Sequence, residues 1–144
     1  MRKLGIDLGS KYIGLAVSDR SNTIAQSKEV IKRTDLKNDL EIFKEYIEDY
    51  DIDEIIVGMP TTLAGTRGPR AEKTQQFINF LNNHLDLAVT VWDERFTTLI
   101  ADQSMIDADI SRKKRKKMVD KIAAALILQN YLDYLNKKDG ENNE

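Results

Sequence analysis

The chain opens with KLGIDLGSKYIGLAVSD (residues 3–19), two apolar runs separated by Gly9-Ser10-Lys11. Two runs rich in Ile, Leu and Val, joined by a short link that contains glycine, predict a tight β-hairpin. Asp7 interrupts the first run. A carboxylate among apolar residues is costly unless a hydrogen-bond donor, a cation or a metal ion compensates its charge. The stretch therefore predicts the start of a sheet and a candidate functional carboxylate within it.

The rest of the chain alternates between strand-like and helix-like segments. Apolar spacing distinguishes the two, and glycine and proline mark the connections. The predicted elements are, in order, a strand at Thr23–Ile31, a helix at Leu36–Tyr50 capped by Thr34 or Asp35, a strand at Glu54–Gly58, an exposed loop at Thr61–Arg70, a helix at Pro69–Leu85, a strand at Ala88–Glu94, and helices at Thr98–Ile106 and Met118–Leu135.

This order predicts an α/β fold with one five-stranded mixed sheet. Three strands joined by short links favour an antiparallel meander, and the later alternation with helices favours parallel crossovers with helices on both faces. The first strand is then central, and sites in such sheets form at the carboxyl ends of strands. We expect a single domain over residues 1–136, followed by a polar tail over 137–144.

Composition excludes several kinds of site. The 144 residues are 41% hydrophobic and 32% charged, which is typical of a soluble globular protein. The chain has no cysteine and only one histidine, His84, which excludes disulfides, thiolate catalysis and a histidine metal cluster within one chain. No apolar run approaches the ~18 residues of a membrane span, and no signal-peptide core is recognisable. The sequence predicts a cytoplasmic protein with no membrane partner.

Charge is distributed unevenly along the chain. Acidic residues crowd Asp39–Glu54, whereas Arg112–Lys117 is an unbroken run of six basic residues. Such a run is either a solvated helix face or a contact for phosphates. Because this run leads directly into Asp120, we favour contact with nucleic-acid phosphates.

Further acidic residues stand beside apolar segments. Asp93 and Glu94 close a predicted strand, and because neighbours on a strand point to opposite faces, only one of them can face a common site. Asp120 precedes the apolar stretch Ile122–Leu128 and shares a helical stripe with Ala123, Ala124 and Ile127, so it should face the sheet. Each acid has a structural alternative, such as hydrogen bonding to backbone amides or stabilising a helix start. Together they predict an oxygen cage for Mg²⁺ or Mn²⁺.

Four motifs carry a resemblance to the YqgF/RuvX family, bacterial proteins of ribonuclease H-like fold. A single Asp-x-Gly motif would be weak, but these four occur in the family's order and cover nearly the whole chain. They are Gly5–Asp19, Val57-Gly58-Met59-Pro60, Asp93–Thr98, and Asp120 with Ile122–Leu128.

The resemblance implies a metal-dependent nuclease. The family is implicated in maturing the 5′ end of pre-16S ribosomal RNA and has also been described as a Holliday junction resolvase. It implies Asp7, Glu94 and Asp120 as catalytic residues and metal ligands, and it selects Glu94 over Asp93. Two Mg²⁺ or Mn²⁺ ions about 3.5–4 Å apart would activate the attacking water and neutralise the leaving oxygen.

The expected partner is nucleic acid, either precursor ribosomal RNA or branched DNA, with ribosomal particles as a further partner. Cutting a junction twice favours a two-fold dimer, whereas end trimming needs only a monomer, so we expect a monomer or a weak homodimer. Tyr12 departs from the family pattern, which usually has arginine there, and Thr61-Thr62-Leu63-Ala64 lacks the family's usual asparagine and acidic residue. The residues expected to contact nucleic acid are Lys11, Arg67, Arg70, Arg95, Thr97, Thr98, Arg112, Lys113, Lys114, Arg115, Lys116 and Lys117.

Two other function classes remain open. Asp7-Leu8-Gly9-Ser10 also resembles the first phosphate loop of the actin, sugar-kinase and Hsp70 ATPases. Those enzymes close a cleft between two such domains, and 144 residues supply one, so this class is disfavoured. The other class is a protein of the same fold that binds RNA without cutting it, which the presence of all three acids argues against.

Overall fold

Five strands and three helices make up the part of the chain that the computed structural model describes, which is residues 1–60, 68–93 and 112–142. Side chains are described for residues 1–60, 68–93 and 122–138. The strands are β1 (Arg2–Leu8), β2 (Tyr12–Ser18), β3 (Ala25–Lys32), β4 (Ile52–Met59) and β5 (Ala88–Asp93). The helices are α1 (Leu36–Tyr50), α2 (Pro69–His84) and α3 (Arg112–Asn142).

The strands form one mixed sheet in the order β3-β2-β1-β4-β5. β1 pairs antiparallel with β2, which pairs antiparallel with β3, while β1–β4 and β4–β5 are parallel. This confirms the predicted fold class and the central position of β1. The turn between β1 and β2 closes with a 2.8 Å hydrogen bond from the Gly9 N–H to the Tyr12 carbonyl oxygen. A Cβ on Gly9 would lie 2.8 Å from that same oxygen, so the turn requires glycine.

The larger core lies between one face of the sheet and helices α1 and α2. Alternate residues of β1 and β2, including Leu4, Ile6 and Leu15, are buried against these helices. Phe43 of α1 and Phe77 of α2 meet edge to face with ring centroids 5.8 Å apart. The apolar spacing that predicted both helices therefore marks the sides that cover the sheet.

Helix α3 covers the opposite face of the sheet. Ala124, Ile127 and Leu128 are buried there together with Ala16 and Ile56. The helix comes so close to β1 that a Cβ added to Gly5 would lie 2.8 Å from the Leu128 Cβ. The C-terminal part of α3 lies near the start of β1, because the Asn136 side chain donates to the Asn22 carbonyl oxygen, and Asn22 in turn donates to the Met1 carbonyl oxygen. The predicted helices on both faces are confirmed.

The predicted element boundaries differ most at α3. We expected a helix over Met118–Leu135, whereas the helical backbone extends from Arg112 to Asn142 and so includes the basic run and most of the expected polar tail. The apolar pattern marks only the part that packs on the sheet, but lysine and arginine have good helix propensity without any apolar partner. The expected domain boundary at residue 136 stays a prediction, although this helix continues past it.

Other boundaries shift by one or two residues. β4 begins at Ile52 rather than Glu54, directly after Asp51, which ends α1 in the left-handed conformation with φ 55°. The predicted cap of α1 is confirmed, because the Asp35 side chain accepts a 2.8 Å hydrogen bond from the Asn38 N–H. The predicted helix at Thr98–Ile106 lies outside the described residues, as does most of the predicted loop after Pro60. Within the described part of the chain, no helix has the length and apolar character needed to cross a membrane.

Candidate active site and nucleic-acid surface

Asp7 lies near the carboxyl end of the central strand, on the face that α3 covers. It follows Gly5 by two residues, so both share this face, and it is only half-buried. Its partner across the β1–β2 pair is Gly14, which has no side chain to cover it. A groove of about 580 Å³, here called the Asp7 groove, opens at this position. Its lining residues include Asp7, Gly9, Lys11, Tyr12, Gly14 and Arg70.

The Asp7 groove brings together three of the predicted site residues. Lys11 reaches it from the β1–β2 turn, and Arg70 from the first turn of α2. Both side chains are exposed. A carboxylate with two cations beside it can bind a phosphodiester if the carboxylate's own charge is compensated, for example by metal ions.

Tyr12 and Val30 add an apolar surface to the Asp7 groove that the sequence analysis missed. Tyr12 is 53% exposed and Val30 is 38% exposed. Val30 lies opposite Gly14 on the neighbouring strand, so it is next to Asp7 across the sheet with only a glycine between them. The sequence signal was the departure of Tyr12 from the family pattern, which we interpreted only as the loss of a basic contact.

A second groove adjoins the first and is strongly basic. It encloses about 540 Å³ and shares Ser10 and Lys11 with the Asp7 groove. Lys11, Lys32, Arg33 and Lys73 line it, and we call it the basic groove. Of these four residues only Lys11 was predicted to contact nucleic acid.

Arg33 connects the two grooves structurally. Its backbone N–H donates to the Lys11 carbonyl oxygen at 2.8 Å, and its Nη1 donates to the Gly9 carbonyl oxygen at 2.9 Å. The end of β3 is thereby tied to the turn that follows Asp7. This linkage holds the common wall of the two grooves in place.

All of the other predicted site residues lie beyond the described side chains. Arg67, Glu94, Arg95, Thr97 and Thr98 are outside the described residues. Asp120 and the basic run (residues 112–117) lie in the helical backbone of α3, with their side chains not described. Within the side chains that are described, no group of three or more Asp, Glu or His could hold a metal ion. The assignment of Asp7, Glu94 and Asp120 as a joint site therefore stays a prediction.

Another carboxylate on the α3 face, Glu54, has a structural role. It accepts hydrogen bonds from Tyr131 at 2.7 Å and from Thr90, and Lys3 lies 3.2 Å from its Oε1. Burial, together with the hydrogen bond to Glu54, raises the pKa of Tyr131 to about 12. Burial alone would lower the pKa of Lys3, but the hydrogen bonds and charges of Asp53 and Glu54 outweigh this and raise it. Glu54 therefore anchors α3 to the sheet.

Known proteins that resemble this chain include nucleases and junction resolvases. Residues 1–134 match the model of a family described as "RuvX: Holliday junction resolvase". A protein of Halothermothrix orenii named "Putative pre-16S rRNA nuclease" is 52% identical over 140 residues, which are 97% of this chain and 100% of that protein. A protein of Desulfitobacterium hafniense with the same name is 45% identical over 144 residues and is covered completely, as is this chain.

Solved structures share the fold at low sequence identity. The Thermus thermophilus RuvC in complex with a Holliday junction substrate superposes with a TM-score of 0.53 at 15% identity, over 88% of this chain and 91% of that one. The fowlpox virus Holliday junction resolvase gives a TM-score of 0.52 at 17% identity, over 93% and 99%. These likenesses support the ribonuclease H-like fold, and the match over residues 1–134 with relatives of 45–52% identity shows that this chain belongs to the RuvX family, also called YqgF, a family of nucleases.

Proposed function

We propose that this protein is a metal-dependent nuclease that hydrolyses phosphodiester bonds in the 5′-end maturation of pre-16S ribosomal RNA. The observation that carries the proposal is Asp7, which lies on the central strand in an open groove with Lys11 and Arg70 beside it. The substrate comes from the names of the relatives that match this chain over their whole lengths. The cytoplasm and ribosomal particles are the expected location and partners.

The chemistry of the groove fits Mg²⁺ or Mn²⁺, which prefer oxygen ligands. The described residues that line the groove offer a carboxylate and hydroxyl oxygens and include no histidine or cysteine. The half-buried Asp7 has space next to it because Gly14 adds no side chain. Two bound divalent ions would neutralise the negative charge that develops on the phosphate during hydrolysis. Lys11 and Arg70 would orient the phosphate by contacting its other oxygens.

The faces of β5 argue against Asp93 as a second ligand. Trp92 contacts Tyr131 of α3 with ring centroids 5.5 Å apart, so residue 92 shares the α3 face with Asp7. Because side chains alternate along a strand, Asp93 belongs to the opposite face from Asp7. The family pattern, which selects Glu94, agrees with this.

The course of α3 supports Asp120 as a third ligand. Ala124 lies over Gly5, where its carbonyl oxygen would be 3.0 Å from an added Cβ. Asp120 precedes Ala124 by about one helical turn on the same side of the helix. Since the C-terminal part of α3 lies near the start of β1, earlier residues lead toward the strand's end, where Asp7 is.

Asp7→Asn tests the proposal, because it keeps the side chain's shape while removing the charge that a metal ligand needs. We expect cleavage of a labelled pre-16S fragment to fall by at least the 10²-fold typical of lost charge stabilisation. Binding measured in chelator should change little. Asp86→Asn, an exposed position between α2 and β5, is the matched control and should cleave normally. Undiminished cleavage by Asp7→Asn would refute the proposed site.

A Holliday junction is the second candidate substrate, because the family description names it. The same assay with a labelled four-way junction separates the two candidates. Junction cutting should be accompanied by a two-fold dimer in sedimentation, whereas RNA trimming needs no dimer. Binding of either substrate without metal-dependent cutting would indicate instead the non-cleaving RNA-binding protein of the same fold.

A further inference from the structure

We propose that the basic groove holds the sugar–phosphate backbone of the nucleic-acid strand that continues from the scissile phosphate. This inference rests on the proposed function, because it extends the substrate path that begins at Asp7. The two grooves share Ser10 and Lys11, so a strand lying in one can continue into the other across the β1–β2 turn.

The charge of the basic groove attracts an anion. Lys11 comes from the β1–β2 turn, Lys32 and Arg33 from the end of β3 and the residue after it, and Lys73 from α2. Within the described part of the chain, none of the three lysines forms an ion pair with a carboxylate. The described residues that line the groove include no aspartate or glutamate. Like charges brought together in this way repel one another, and a polyanion relieves that repulsion.

Two acids that follow Lys32 and Arg33 in sequence are engaged at the start of α1. Asp39 is 1% exposed and accepts a 2.9 Å hydrogen bond from the Thr34 hydroxyl. Asp35 accepts hydrogen bonds from the backbone and the side chain of Asn38 at 2.8 and 3.0 Å. Both carboxylates therefore stabilise the helix N-terminus, and neither lines the groove.

The groove is suited to backbone phosphates rather than to reading bases. Its aromatic residue, Phe77, is only 2% exposed and cannot stack on a base. Ser10, Thr34 and Gln76 supply hydroxyl and amide groups beside the four cations, and such groups contact phosphate and sugar oxygens. Contacts of this kind carry no sequence information. Binding in this groove should therefore depend on strand length and salt and be independent of base sequence.

The double substitution Lys32→Gln with Lys73→Gln tests the groove without altering Asp7 or Arg33. Each lost phosphate contact should reduce the slope of log K against log salt by about 0.7 for a single strand, so the pair should reduce it by about 1.4. The slope is measured by fluorescence anisotropy with labelled single strands of RNA and of DNA, in chelator so that nothing is cut. Thermal unfolding checks that the variant is folded.

The matched control is Lys137→Gln with Lys138→Gln. These exposed lysines follow Asn136, which contacts the β2–β3 turn at the opposite end of β2 from Lys11. The control should keep the wild-type salt slope, and base sequence should not affect the difference.

An unchanged slope in the groove variant, or equal losses in both lysine pairs, would overturn the proposal. The first result would show that the strand does not use this groove, and the second that only overall charge matters. Failure of the nuclease proposal looks different. In that case Asp7→Asn has no effect on cutting or no cutting occurs at all, while the salt slopes can still separate the groove variant from its control.

Discussion

At the scale of single residues, the candidate site depends on what stands next to Asp7. Gly14, opposite Asp7 on β2, has no side chain that could cover it. Tyr12, two residues before Gly14, and Val30, opposite Gly14 on β3, form an exposed apolar surface beside it. Asp7 could be recognised from the sequence because a carboxylate in an apolar run violates the local pattern. The apolar surface at Tyr12 could not, since the departure of Tyr12 from the family pattern indicates only a missing arginine and its exposure depends on what the neighbouring strands leave uncovered.

We expect Tyr12 to stack on a base beside the scissile phosphate. It is 53% exposed in the Asp7 groove, and stacking of a base on an aromatic ring contributes about 1–3 kcal/mol. Tyr12→Ala should therefore weaken binding of a single-stranded oligonucleotide by roughly 5- to 150-fold at constant salt. Tyr12→Phe keeps the ring and should bind like wild type in the same anisotropy measurement. Equal affinity of the alanine and phenylalanine variants would show that no base uses this ring.

At the scale of elements, predictions were accurate where packing leaves an apolar pattern. The bounds of α1, Leu36–Tyr50, were predicted correctly because one side packs on the sheet and Asp35 caps the start. The predicted ends of α3 were wrong because charged residues extend the helix at both ends without adding to the apolar pattern that predicts it. The basic groove was missed for a related reason. Lys32 and Lys73 are solvated lysines far apart in sequence, and only the fold brings them into the lining of one groove.

The packing of β1 against α3 gives a prediction at this scale. Adding a methyl group at Gly5 would place it 2.8 Å from the Leu128 Cβ and 3.0 Å from a backbone oxygen of the helix, so the helix must move away. Gly5→Ala should lower the free energy of unfolding by about 1–3 kcal/mol, the usual cost of overpacking a core. Urea denaturation monitored by circular dichroism measures this change.

The control for Gly5 is Gly68, which caps α2 and, among the described residues, has nothing within 4 Å of an added Cβ. Gly68→Ser adds a larger side chain in open space and supplies a good N-cap, so stability should stay the same or rise slightly. If Gly5→Ala proved as stable as wild type, this result would contradict the close packing of α3 against β1 at Gly5.

At the scale of the whole molecule, the proposed site and the cluster that anchors α3 lie at different places along the sheet. The carboxyl end of β1 carries Asp7 and both grooves, while Lys3 near its start joins the hydrogen-bonded cluster around Glu54. The strand order could be predicted because short links and crossovers allow few topologies. The cluster could not, since Tyr131 and Glu54 are 77 residues apart and nothing in either local sequence indicates a partner.

This cluster predicts how stability changes at alkaline pH. The pKa of Tyr131 is raised from 10.0 to about 12 because burial and Glu54 favour the neutral hydroxyl. Above pH 10 the unfolded chain loses this proton while the folded chain keeps it, so stability should fall from about pH 10 to about pH 12. The raised pKa of Lys3 acts in the same direction, because the charge that its partners stabilise is lost at high pH.

Tyr131→Phe separates the two contributions, because it removes the hydroxyl and leaves Lys3 in place. At neutral pH the variant should be less stable by about 1.5–3 kcal/mol, the cost of losing a hydrogen bond to a charged group. Between pH 10 and pH 11 its stability should fall less steeply than that of wild type, as measured by urea denaturation at a series of pH values. Tyr134→Phe, at a half-exposed position three residues along the same helix, is the control and should reproduce the wild-type pH dependence. Parallel curves for wild type and Tyr131→Phe would show that the Tyr131 hydroxyl does not anchor α3 to Glu54.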